Sequence, residues 1–246
     1  MPPQDDLLEV LSSSIKALKE RDIVIITSKV ISIWQGRCVR AEDAPNKDKL
    51  VEEEADKYLP RNNKTLAGGF VMHTIKDNIF IPSAGIDESN ANGYYILWPK
   101  NSRVVAKNLW KWFREKYKVK DLGVIITDSH TIPLRWGVLG LSLAHYGFEP
   151  LKDYRGKPDL FGRKLKMTQT NIVDGISAAA VMVMGEGAEC TPVAIVRDIP
   201  FAKFIHGEGA TLKIKEKEDL YYPLLSAVNW RKGKGGYKIT NNKQRQ

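Results

Sequence analysis

Two short runs restrict this chain more than any other feature. Residues 24–27 and 124–127 both read VIIT, the first followed by Ser28 and Lys29, the second by Asp128 and Ser129. Four apolar or β-branched residues in a row, without alternation, read as a strand buried on both faces. Each run then passes abruptly into polar residues. In open α/β sheets ligand sites gather at such strand ends, because the strand fixes a residue that the following loop leaves reachable. Ser28 and Lys29 could hold a phosphate there and Asp128 a metal. Ordinary strand-to-loop transitions would read the same way.

The flanking segments supply helices. Over 5–20, Leu7, Leu8, Leu11, Ile15 and Leu18 recur at helical spacing, with Asp5 or Asp6 as a cap. NKDKLVEEEADKYL reads as a second helix stopped by Pro60. GGFVMHTI and NIFIPSAG read as paired strands turning at Lys76, Asp77 and Asn78. Residues 102–117 form an amphipathic helix with Val105, Leu109, Trp112 and Phe113 on one side, and TPVAIVRDI is a late strand. Helices and strands do not strictly alternate, so the expected class is α/β of the mixed α+β kind, with mixed sheets and packed helices. One domain over 1–228, with room for two subdomains, and a basic flexible tail over 229–246 are expected.

The formal net charge of +9 favours anionic partners, and much of the excess lies in NWRKGKGGYKITNNKQRQ at the C-terminal end. With no zinc knuckle, aromatic RNA-binding signature or Walker lysine loop, nucleic acid is a weak option. No apolar run nears the ~20 residues of a bilayer span, and the acidic start lacks signal-peptide character, so a cytoplasmic protein off the membrane is expected. Cys38 and Cys190 are too few for a disulfide framework and read as apolar fillers. None of His73, His130, His145 and His206 has metal-ligand spacing; His130 could line the Asp128 site, and the others read as structural.

Three further places carry chemistry. The helix 171–186 is apolar on most faces, yet Asp174 shares a stripe with Ala178 and Val181. A carboxylate facing that way needs a cation or several donors, unless it only closes the first helical turn. Gly207 and Gly209 bracket Glu208 ahead of Thr211, which would let backbone N–H groups approach a ligand closely, or simply make a flexible turn. FIPSAGIDESNANG, residues 80–93, crowds permissive and acidic residues into one loop beyond what a turn requires. Asp159, in a Pro/Gly turn, reads as structural.

In order along the chain, ITSKVISIWQGR, IPSAGIDESN, IITDSHTIPLRWG, DYRGKPDLFGRKLKMTQTNIVDGISAAAVMVMGE and TPVAIVRDI together resemble the coenzyme F420-0:γ-glutamyl ligase family. The resemblance covers roughly residues 5–225. It implies an F420:glutamate ligase-like fold in an intertwined homodimer. It implies GTP- and Mg²⁺- or Mn²⁺-dependent joining of L-glutamate to a carboxylate acceptor such as F420-0, through an acyl phosphate. By motif it assigns Asp128 and Asp174 as catalytic, metal-binding carboxylates and Glu208 as a further metal ligand. Ser28, Lys29, Thr131, Gly207, Gly209 and Thr211 become nucleotide contacts, and Asp87, Ser89 and Asn90 a wall of the site. The chain departs from the family pattern SKVVSKAEGR at Ile33 and Gln35, and often-found Asp-Glu is Asp174-Gly175 here. It reads DNIFIPSAG for HGFVCANAG, and an upstream nucleotide loop is expected to be missing. These departures keep a second expectation open: a repurposed, non-catalytic relative binding an anionic metabolite, or a ligase for another acceptor such as folate.

Overall fold

The computed structural model describes residues 1–44, 46–61 and 71–239. The opening of the expected GGFVMHTI strand and the last part of the expected tail lie outside the described residues. The chain divides into two compact units: one of residues 7–30 and 101–212, the other of residues 1–6, 31–100 and 213–246.

The 7–30 and 101–212 unit is built on the two VIIT strands. β1 (Asp22–Thr27) and β7 (Leu122–His130) lie parallel and side by side, with Ile26 opposite Ile126 and Thr27 opposite Thr127. β8 (Leu139–Tyr146) and β11 (Val193–Val196) flank them antiparallel, giving the order β11-β1-β7-β8. Helix α5 (Ile172–Met184) covers one face: Ile172, Val173, Ile176 and Ala180 pack with Ile23, Ile25, Ile125 and Phe148. Gly140 of β8 lies under α5, where a Cβ would run into the carbonyl of Ser177. Helix α4 (Ser102–Tyr117) has the bounds its periodicity predicts, but Trp110 rather than Trp112 is buried, and the Trp110 indole N–H donates to Leu122 O at 2.8 Å. The hydrogen bond, which helical spacing does not reveal, turns that ring inward. Helix α1 (Leu7–Ser14) stops short of the expected 5–20; its closing Ser12, Ser13 and Ser14 compete for backbone hydrogen bonds and favour helix ends. A short hairpin of β9 (Leu151–Asp153) and β10 (Gln169–Asn171) precedes α5.

In the other unit, β4 (His73–Lys76) and β5 (Ile79–Pro82) pair through Asp77 and Asn78, both with positive φ as a two-residue hairpin turn requires. Helix α3 (Lys47–Glu54), capped by Asn46, gives way to β3 (Lys57–Tyr58), so the expected 46–59 helix ends early. β2 (Cys38–Arg40) pairs with β6 (Tyr94–Ile96). The stretch expected to be a loose tail opens with β12 (Arg231–Lys232), which extends the sheet to the order β12-β3-β4-β5. Beyond it Tyr237 donates its N–H to Glu54 Oε1 at 2.8 Å, and Tyr237 and Ile239 pack on the Leu50–Val51 core. Buried partners, not composition, order this segment. Helix α2 (Ser28–Trp34) carries the chain from one unit into the other, and α6 (Tyr222–Leu225) is a single turn.

Candidate functional site

The parallel pairing of β1 and β7 ends at Thr27 opposite Thr127. Ser28 follows the end of β1, but Asp128 does not stand at the expected strand end: β7 runs on to His130, because β8 continues to pair with it. Across β7, Thr127 is opposite Ser142 and Asp128 opposite Leu141. The register shifts between Ile126 and Thr127, where β8 carries an extra residue, Leu143. β8 is the edge of its sheet, and the Ser142 N–H is donated to Asp174 Oδ1 at 2.9 Å. The α5 N-terminus therefore docks its acid on the strand residue next to the partner of Asp128. Asn171 caps α5, accepting from Asp174 N at 3.1 Å, and donates its side-chain amide to Asp174 Oδ2 at 2.5 Å. Asp174 thus both serves the first helical turn and reaches across to the sheet.

Glu208 arrives by a different route. After β11 the chain returns along the continuation of β8: Glu149 N–H donates to Lys203 O, Ile205 N–H to Gly147 O, and Gly147 N–H to Gly207 O. His145, opposite Ile125 and 7% exposed, has Nε2 at 2.6 Å from Glu208 O. A carbonyl oxygen only accepts, so Nε2 carries the hydrogen. Burial lowers the pKa of this imidazole, and the Glu208 carbonyl, Glu208 and Asp174 partly counter that, with Arg103 adding to the fall. The Glu208 carboxylate lies 3.4 Å from Arg103 at the start of α4. On the far side, Ala210 N–H donates to Glu149 Oε2 at 3.1 Å. Gly209 has φ +71, and a Cβ there would lie 2.5 Å from Glu149 Oε2, so the glycine is needed for both conformation and room.

The remaining candidates fall as follows. Ser28 is buried and Lys29 half-buried at the start of α2, while Thr131 lies just past β7 and is exposed, as is Thr211. Asp87, Ser89 and Asn90 belong to the other unit. There Asp87 Oδ1 accepts from both Ser89 N–H and Ser89 Oγ–H, at 2.7 and 2.8 Å, and Asn90 has φ 50, so these residues hold their own turn. Gly85 opens that turn, with the indole of Trp98 where its side chain would be. Asp159 holds the N–H groups of Phe161 and Arg163. Sequence reasoning missed Ser142, Glu149, Arg103 and the role of His145, because a bulge and a returning strap leave no local pattern in the chain.

The departures have structural employment. Ile33 is buried against Cys38, Ala91 and Ile96. Gln35 donates to Lys100 O and accepts from Lys100 N, at 2.9 and 2.8 Å. Gly175 is exposed, with open space where a side chain would project.

Carboxylates suit hard divalent cations, and Mg²⁺ is commonly held by one or two of them plus substrate phosphates. Asp128 and Asp174 are each of that donor type. Among the described residues no group of three or more His, Cys, Asp or Glu side chains could hold a metal by itself, so Glu208 is not gathered with the two aspartates into one cage.

Residues 1–198 match the family described as F420-0:Gamma-glutamyl ligase. A Methanopyrus kandleri protein named coenzyme F420:L-glutamate ligase is 34% identical over 209 residues, covering 80% of this chain and 82% of the relative. Relatives of the same name from Methanococcus maripaludis and Archaeoglobus fulgidus are 32% and 31% identical, over 83% and 87% of this chain and 86% and 88% of their own lengths. With that span matched and the ordered motifs running through both units, this chain belongs to the F420-0:gamma-glutamyl ligase family.

Proposed function

We propose that this protein joins L-glutamate through an amide bond to a carboxylate acceptor of the coenzyme F420-0 type, at the expense of GTP. The observation that supports the reading is the hydrogen bond of the Asp174 carboxylate to Ser142, the strand residue next to the partner of Asp128. The acceptor carboxylate takes the γ-phosphoryl group to give an acyl phosphate and GDP. The glutamate amine then attacks the acyl carbon, phosphate leaves and the amine proton is lost. Positioning and charge neutralisation dominate such phosphoryl transfers.

Asp128 and Asp174 would hold Mg²⁺ or Mn²⁺, which would supply neutralisation of the triphosphate charge, while Glu208, expected as a further ligand, faces Arg103 instead. The Lys29 ammonium and Ser28 hydroxyl offer the nucleotide phosphates a charge and a donor at the β1 end. Thr131 and Thr211 add hydroxyls, and Gly207 and Gly209 keep side chains away from the loop backbone. Asp87, Ser89 and Asn90, expected as a wall, shape their own turn in the other unit. Burial of Ile33 and the engagement of Gln35 with Lys100 favour a second reading, in which nucleotide or acceptor differs, as in a folate ligase or a non-ligating binder of an anionic metabolite.

A thermal-shift comparison with GTP, ATP and Mn²⁺ tests the site, since a ligand of the native state raises apparent stability. Nucleotide should stabilise the protein only when metal is present, and Asp128→Asn should abolish that linked shift. An undiminished shift in the variant would remove Asp128 from the site. Mass spectrometry after incubation with GTP, Mn²⁺, glutamate and F420-0 or folate acceptors should then show a glutamyl adduct on the F420-0 acceptor. An adduct only on folate would favour the second reading.

A further inference from the structure

We infer that His145 is a positioning residue: from beneath the sheet edge it holds the backbone of the Gly207–Thr211 loop in place for the nucleotide. The inference rests on the ligase reading for its consequence, but its structural half stands on this structure alone. One strand and its continuation serve as the common ruler for the acids. Leu141 is opposite Asp128, Ser142 binds Asp174, and His145 binds the carbonyl of Glu208. Glu149, four residues on, binds the N–H of Ala210. Glu208 and Gly209 are thus held from both sides by side chains of one segment.

The hold from His145 is the buried one. Its ring is 7% exposed, shares an edge-to-face contact with Phe148 at 5.7 Å, and donates from a ring that cannot swing away without opening the core. Glu149 is half-buried and grips from the solvent side. Ladder bonds stop at Gly207, whose carbonyl accepts from Gly147. Past that point the Glu208 carbonyl and the Ala210 N–H are held by side chains. A loop of two glycines has little intrinsic preference for one conformation, so these two hydrogen bonds select it. Removing the buried donor leaves the Glu208 carbonyl without its partner, and a loop that must be ordered when substrate binds lowers affinity by that ordering cost.

The experiment compares His145→Leu with His145→Gln, whose side-chain amide retains an N–H donor. Hydrogen exchange of the nucleotide-free protein should show amides 207–211 exchanging about tenfold faster in the Leu variant and near the wild-type rate in the Gln variant. In the ligation assay the Leu variant should raise the KM for GTP about tenfold with kcat within about threefold, and Gln should restore it. Unchanged exchange in the Leu variant, a Gln variant no better than Leu, or a fall in kcat at constant KM would each overturn the inference. Should the Leu variant fail to fold, His145→Phe keeps an aromatic ring in the core but removes the donor. It must then loosen the same amides, and full protection there would overturn the inference equally. If wild-type protein ligates nothing, the functional proposal falls while the exchange measurements still decide the positioning.

Discussion

Glu54 shows how far one side chain depends on its surroundings. It is the last residue of α3 and 1% exposed. Burial pushes its carboxyl up, but Arg37 at 2.5 Å, Lys76 at 3.0 Å and the N–H of Tyr237 outweigh that, and the pKa is lowered from 4.5. Lys76 also donates to the carbonyls of Glu54 and Gly235, and Arg37 to that of Tyr237, so the triad ties the C-terminal segment to its unit. Glu54→Gln should leave two buried cations poorly matched and cost about 3–5 kcal/mol at neutral pH. A depressed carboxyl contributes stability above its unfolded value and loses it as pH falls through the folded one. Urea melts should therefore show the gap between wild type and Glu54→Gln closing below pH 4.5; parallel curves would deny the triad its role. Cys38, by contrast, has its thiol pushed up to about 11, mainly by burial, and matches the expected apolar filler, whereas Cys190 is exposed and does not.

Among elements, α5 and β8 matter most, because their contact aims Asp174. The close approach exists because Gly140 has no side chain: a Cβ would meet the Ser177 carbonyl and the Val181 methyl. Gly140→Ala should push α5 away from the sheet and destabilise the protein by about 1–3 kcal/mol, the usual cost of overpacking. Because Asp174 and Ser142 sit on the two separated elements, metal-linked nucleotide stabilisation should fall as well. A melt with lowered midpoint but intact linkage would mean that α5 and Asp174 are placed independently of this contact. Ser177, buried in the same interface, donates to Val173 O at 2.8 Å and so adds no unpaired group there.

Over the whole molecule, the unusual feature is apolar surface. Past β7, Leu134 and Trp136 are fully exposed, Ile132, Val138 and Leu139 partly so, and Leu160 and Phe161 project from the segment between β9 and β10. Single exposed apolar residues are ordinary, but such groups on projecting segments mark surfaces that associate. The homodimer that the family resemblance implies would give them a partner. Light scattering after size exclusion should find a dimer, and Leu134→Asp with Trp136→Asp should shift it to monomer. A wild-type monomer at micromolar concentration would refute that assembly. No helix among the described residues is long and apolar enough to cross a membrane.

Much of this was legible along the chain. The VIIT strands, α4 and the β4–β5 turn follow from runs, periods and turn residues, which act over a few positions. Asp174 was visible as a carboxylate on an apolar helix; Asp128 was expected at a strand end but lies inside β7, which runs on to His130. The Ser142–Asp174 bond, the His145–Glu208 bond and the Arg37–Glu54–Lys76 triad were not visible. Their partners are far apart in sequence, and local spacing carries no information about which distant backbone group a side chain will meet. The segment 231–239 illustrates the limit: its composition resembles a solvated tail, yet β3 and the buried Glu54 supply the ladder and charge that order it. Short-range sterics and hydrophobicity chose the elements; long-range packing and hydrogen bonding chose which of their polar groups come together.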